Sequence, residues 1–215
     1  MVMYVSGFRL VERDYLILKE IDRWRVITGK HIGSMTGFTG LRACDRRLHK
    51  LFIAGFIQKK KIFYGMPAIY SLTAKGKHLI GIPNKKEQIR VEQIAHDMAV
   101  ADTAIYFNRK YEISFSDMIT EKQLHRQDGF GIRRHCPDFV FSKNGKSVCV
   151  EVELSLKSKE RFSNNIIANF TNYDEQFWIV SDLNSKIALF LSDMDKNYPN
   201  IKIIELSEVR KNEYR

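Results

Sequence analysis

The segment CPDFVFSKNGKSVCVEVELSLKSKERF (136–162) carries three carboxylates, Asp138, Glu151 and Glu153, around an Asn144-Gly145 pair. Asn-Gly is a strong signal for a two-residue type I′ hairpin turn, because both turn residues must take positive φ. With those residues as the loop, Lys143 faces Lys146, Phe141 faces Val148, and Asp138 faces Glu151. Side chains alternate along a strand, so Val148, Val150, Val152 and Leu154 take one face while Cys149, Glu151 and Glu153 take the other. Glu153 then lies diagonal to the Asp138–Glu151 pair. Like charges opposite one another destabilise paired strands, so three acids on one face imply a cation between them. The expected chemistry is that of a divalent-metal site.

Elements of alternating type must position this hairpin. Ahead of it, VEQIAHDMAVADTAIYFNRK spaces Ile94, Met98, Ala101 and Ile105 as the buried stripe of a helix, with Glu92, His96 and Asp97 nearby. EISFSDMITEKQLHRQ reads as strand-like, and the loop QDGFGIRRH leads to Asp138. Behind the hairpin come a helix from about 157 to 170, a buried strand FWIVSD, a helix NSKIALFLSDMDKNY and a last strand IKIIELSEV. The order α-β-β-β-α-β-α-β predicts an α/β (α+β) domain, its mixed sheet covered by helices on both faces.

The first part of the chain has a different character. In ERDYLILKEIDRWR (12–25), Ile17, Ile21 and Trp24 make one helical stripe. After Thr28-Gly29 and KHIGSMTG, the run GLRACDRRLHKLFIAGF sets Leu41, Cys44, Leu48 and Leu51 on one side of a helix and Arg42, Arg46 and Lys50 on the other. FIQKK and KIFYGMPAIYSLT then read as a hairpin around Lys59, Lys60 and Lys61. Three helices and a basic hairpin predict a winged helix-turn-helix, with Arg42, Arg46, Arg47 and Lys50 turned to the major groove and the wing lysines on phosphate. The same fold also serves protein contacts, and that alternative stays open. IPNKKEQ (82–88) marks the junction, which sets domains at 1–82 and 88–215.

Charge follows the same division. The formal net charge is +10, yet residues 1–90 hold 18 Lys and Arg against 6 Asp and Glu, a net of +12, so the remainder is −2. A basic first half is the footprint of a nucleic-acid binder. Cys44, Cys136 and Cys149 are odd in number and lack CxxC spacing, which argues against a disulfide framework and a zinc knuckle. No apolar run approaches membrane-spanning length and the N-terminus has no signal-peptide pattern, so the expected location is cytoplasmic.

Pro137-Asp138 followed by Glu151-Val152-Glu153, within that element order, resembles the PD-(D/E)XK nuclease superfamily. HDMAVAD (96–102), Glu121 with Leu124, RRHCPD (133–138) and VEVELSLKSKERF (150–162) look like the replication-relaxation family and the MobC-type relaxases of mobilisable plasmids. Those proteins also place a winged helix ahead of a nuclease-like domain. The resemblance makes Asp138 and Glu151 the acids that hold Mg²⁺ or Mn²⁺. Glu153 stands where the superfamily's lysine usually does, as in some restriction enzymes, and Lys157 becomes the migrated substitute. His96, Asp97 and Glu121 match further positions that would complete the metal or water shell. Lys157 or Arg161 would offer charge to the scissile phosphate, with Arg133, Arg134 and His135 on the backbone beside it.

The implied partner is double-stranded DNA with an origin-of-transfer-like site, alongside accessory mobilisation proteins. Tyrosine relaxases carry a His-hydrophobic-His motif that none of the six histidines makes, so metal-activated water is the expected nucleophile. Three activities stay open: a site- and strand-selective nickase, a non-catalytic accessory or regulatory protein on a nuclease scaffold, and a restriction-type double-strand nuclease acting as a homodimer.

Overall fold

Charged and apolar residues at helical spacing form α1 (Glu12–Arg23), whose Ile17, Leu18 and Ile21 are buried. Its start is fixed by the Val11 N–H, which donates to Asp14 Oδ2 at 2.8 Å. The computed structural model describes residues 3–5, 8–62, 64–84, 89–129, 134–155 and 158–211. An antiparallel pair, β1 (Met3–Val5) and β2 (Phe8–Leu10), precedes α1. After it come β3 (Ile27–Thr28), α2 (Gly29–Met35), α3 (Leu41–Ile53), β4 (Ile57–Lys60), β5 (Ile69–Leu72) and α4 (Ala74–Leu79). β5 lies between β3 and β4 in an antiparallel sheet.

The short α4 escapes a periodicity reading because its six residues make under two turns. Its cap is Thr73, which accepts from the Gly76 N–H at 3.0 Å. Gly76 sits so close to the Phe56 carbonyl that a Cβ there would lie 2.1 Å from the oxygen. A side chain at this position would force α4 away from the residue that leads into β4.

The chain divides into two compact units, 1–101 and 102–215. The division falls inside α5 (Ile94–Tyr111) and not at IPNKKEQ, of which residues 85–88 lie outside the described residues. Ile94 and Met98 in the first turns of α5 pack with Val26 and Ile69, which extends the first unit past residue 82.

In the second unit, the sequence-predicted strand over 112–127 is corrected. Only β6 (Ile119–Thr120) is extended, and α6 (Glu121–Asp128) follows at once. Thr120-x-x-Gln123 explains the switch: the Thr120 N–H and Oγ1 both donate to Gln123 Oε1, at 3.0 and 3.1 Å, in a capping box. Then come β7 (Phe139–Lys143), β8 (Lys146–Glu153), α7 (Lys159–Asn172), β9 (Glu175–Val180), α8 (Lys186–Met194), β10 (Ile201–Glu205) and α9 (Leu206–Lys211). The sheet order is β10-β9-β8-β7-β6, parallel from β8 to β10 and antiparallel from β8 to β6.

The β7–β8 hairpin has the expected register, from Phe139 opposite Val150 to Lys143 opposite Lys146. Asn144 and Gly145 form its turn with φ of 51° and 76°. On one face of the sheet, the ring of Phe107 from α5 packs against Phe139, Phe141 and Phe177. On the other, Phe162 and Ile166 of α7 and Ile187 and Leu191 of α8 cover Trp178 and Val180. Burying such side chains contributes about 1.5–3 kcal/mol each, which anchors the sheet between its helices. Among the described residues, no helix is long and apolar enough to cross a membrane.

Candidate functional site

Asp138 immediately precedes β7, and its carboxylate is turned onto the neighbouring strand, where Oδ2 accepts from the Val152 N–H at 2.7 Å. Its carbonyl accepts from the Glu121 N–H at 2.8 Å, which fastens the start of α6 to the same place. Glu151 lies in β8 with 8% of its surface exposed. Glu151 Oε1 accepts from Asn169 Nδ2 at 2.9 Å and lies 2.5 Å from His135 Nε2.

Burial pushes the Glu151 carboxyl above the usual carboxylate range, against the opposing pull of the His135 bond and charge. Burial alone would lower His135, but the bond to Glu151 and the charges of Glu151, Asp138 and Glu121 carry it above the ordinary histidine value. The two groups therefore retain a proton between Nε2 and Oε1 further into neutral pH than either would in water.

Glu153, half-buried at the end of β8, accepts from the Ser155 N–H at 3.3 Å. Asp138, Glu151 and Glu153 thus share one end of the hairpin without crowding into a single cluster. Asp138 leans on the β8 backbone and Glu151 on α7 and His135. Among the described residues, the group of three His, Cys, Asp or Glu whose ligating atoms lie within 4.8 Å of one another is instead His125, Asp128 and Cys136. Burial, then the charge of Asp128, pushes the Cys136 thiol up to about 11.

The remaining sequence-predicted residues are dispersed. Arg161 is exposed in the first turn of α7, and Arg134 is bound to Asp128. Glu121 Oε1 lies 3.4 Å from His125 Nε2. His96 and Asp97 belong to the first unit, where Nδ1 and Oδ1 are 3.3 Å apart. Lys157 and Arg133 lie outside the described residues.

On the first unit, Arg42, Arg46 and Lys50 are exposed along α3, and Lys59 and Lys60 are exposed on β4 with Lys61 just beyond. Arg47 departs from the expectation. Its Nε is 2.5 Å from Asp14 Oδ1, its Nη2 meets Asp14 Oδ2, and Nη2 also donates to the Arg9 carbonyl at 3.0 Å. Position 47 lies on the helical stripe of Cys44, Leu48 and Leu51, which faces inward and brings Arg47 to the fully buried Asp14 of α1.

Sequence reasoning missed Asn169 and the bond that makes His135 part of the site. The available signal was a polar residue on an apolar stripe: Asn169 follows Phe162 and Ile166 at helical spacing and is 1% exposed. No protein-family model and no curated protein matches the chain.

Proposed function

We propose that the chain is a Mg²⁺-dependent, site- and strand-selective DNA endonuclease of plasmid or integrative-element mobilisation. The observation that carries this reading is a buried, ionisable Glu151 held by His135 and Asn169 beside Asp138 at the open end of a hairpin. An acid buried with a titratable partner is costly to keep for stability alone, and such pairs concentrate at functional sites.

The oxygen donors of Asp138 and Glu151 fit a hard divalent cation, and the hydrogen bonds of His135 and Asn169 to Glu151 both fall on Oε1. These two carboxylates would hold Mg²⁺ or Mn²⁺, which supplies neutralisation of the charge that develops on a phosphodiester during hydrolysis. The chain's own groups do the positioning. Val152 N–H fixes Asp138, Asn169 fixes Glu151 from α7, and His135 Nε2 shares a proton with the buried carboxylate.

In the first unit, the order α1-β3-α2-α3-β4-β5 supports a winged-helix reading. Arg42, Arg46 and Lys50 on α3 and Lys59 to Lys61 at the end of β4 are the cations that would meet double-stranded DNA. A second reading, a non-catalytic DNA-binding accessory protein, is favoured by Glu153 standing in the usual place of a lysine.

Supercoiled plasmid incubated with the protein and Mg²⁺ or Mn²⁺ separates the readings. Open circles support the proposal, linear product supports a restriction-type nuclease, and unchanged plasmid that is nevertheless bound supports the accessory role.

A further inference from the structure

We propose that His125, Asp128 and Cys136 form a binding site for a zinc-type transition-metal ion, separate from the carboxylates of Asp138 and Glu151. His125 and Asp128 lie one turn apart on α6, and Cys136 comes from the segment leading into β7. Cys136 Sγ is 3.6 Å from His125 Nδ1 and 3.6 Å from Asp128 Oδ2, and all three ligating atoms lie within 4.8 Å of one another. Around a tetrahedral zinc ion, bonds of about 2.0–2.3 Å put neighbouring donor atoms roughly 3.3–3.7 Å apart. Both spacings to the sulfur therefore suit a common ion.

Two of the ligands are oriented by an outer partner. His125 Nε2 lies 3.4 Å from Glu121 Oε1, which leaves Nδ1 as the nitrogen turned to Cys136. Asp128 is gripped by Arg134, with Nη2–Oδ1 at 2.5 Å and Nε–Oδ2 at 2.7 Å. Each carboxylate oxygen has two lone pairs, so Asp128 can accept from Arg134 and still face an ion. Such outer partners fix the orientation of metal-ligating histidines and carboxylates.

The donor set decides between chemistries. Nitrogen, sulfur and oxygen together select Zn²⁺ over Mg²⁺, which takes oxygen ligands. Cys136, His125 and Glu121 also follow the order of a nucleophilic thiol triad. However, Cys136 is only 7% exposed, so a substrate cannot reach its sulfur, whereas an ion enters past the exposed His125. Cys136 follows His135 directly and stands just before Pro137-Asp138. An ion here would pin to α6 the segment that carries both site residues; that consequence rests on the proposed active site, and the binding itself does not.

The test uses the full chain, stripped with a chelator and titrated with Zn²⁺ against a chromophoric chelator. A parallel titration with Co²⁺ reads the near-ultraviolet thiolate-to-metal charge-transfer band. The expected result is one ion per chain and a thiolate band, both lost in Cys136→Ser. Glu121→Gln should weaken binding by about 10–100-fold, as loss of an outer partner does. His125→Asn should also lose tight binding; it changes an exposed side chain and so keeps the test open if Cys136→Ser fails to fold. Asp138→Asn should leave zinc affinity unchanged. No zinc uptake by the wild type, full binding in His125→Asn, or loss of binding in Asp138→Asn would each overturn the proposal. Zinc binding by a protein that leaves plasmid intact would sink the nuclease reading alone.

Discussion

Asp14 in the first unit and Glu151 in the second are both buried carboxylates, but Asp14 is met on both oxygens by Arg47, whereas Glu151 is met on one oxygen by His135 and Asn169. A guanidinium keeps its charge throughout the range in which proteins fold, so the first pairing locks α3 to α1 and has one state. An imidazole titrates near neutrality, so the second pairing can change its proton count and its grip on the carboxylate. The same burial therefore fixes one charge state in the first unit and leaves a titratable pair in the second.

Arg47→Ala is the largest expected break in this comparison. It strands a fully buried Asp14 and should cost about 3–5 kcal/mol in chemical denaturation of the protein. Unchanged stability with weakened DNA binding would instead return Arg47 to the recognition face.

His135→Ala should cost about 1.5–3 kcal/mol, the worth of a hydrogen bond to a charged group. Its sign with pH is fixed. Because His135 is raised in the folded state, its contribution is complete below the ordinary histidine value and is lost as pH rises through the raised one. The gap between the thermal melts of wild type and variant should narrow as pH rises through that raised value. A constant gap across pH would deny the proton link to Glu151.

Arg46→Ala, on the exposed side of the same helix as Arg47, should leave the melting temperature in place and weaken specific DNA binding by about 1–3 kcal/mol, measured by titration at fixed salt. Equal affinity in the variant would remove α3 from the interface.

Glu175 gives the smallest effect and the opposite pH sign. It joins Lys202 of β10 at 2.5 Å and Lys146 of β8 at 3.0 Å, and the bond to Lys202 leads in holding its carboxyl below the usual range. Glu175→Gln should cost about 0.2–1 kcal/mol at neutral pH, since both lysines are solvent-exposed. That loss should disappear as pH falls through the depressed carboxyl value. A penalty that persists in acid would mean that packing, not charge, supports the position.

The hairpin was legible because turn chemistry and alternation fix register locally: Asn144-Gly145 leaves one pairing for Phe139 and Val150, while the expected Asp138–Glu151 pair lies just beyond the ladder. Helices α1, α3 and α5 were legible from their apolar stripes. What a stripe does not reveal is which polar residue on it meets another across space. Arg47 and Asp14 each sit on an inward stripe, and their pairing depends on how α3 crosses α1. The bonds of Glu151 to Asn169 and His135 likewise join β8 to α7 and to the segment before β7. α6 was missed for a different reason: strand-like Ile119 and Thr120 dominate the reading, while the cap Thr120–Gln123 turns the chain one residue later. His125, Asp128 and Cys136 have no recognised motif spacing, because a helix and a separate segment supply them.

The most direct test of the central claim is open-circle formation from supercoiled plasmid by the wild type and by Glu151→Gln, at matched Mg²⁺ and after EDTA. Glutamine keeps an oxygen for the Asn169 bond, so the variant should fold. The wild type should nick the plasmid, EDTA should abolish the nicking, and Glu151→Gln should reduce it by at least about 10²-fold, the scale of losing one electrostatic element of the transition state. Equal nicking by the variant, or nicking that survives EDTA, would contradict that claim.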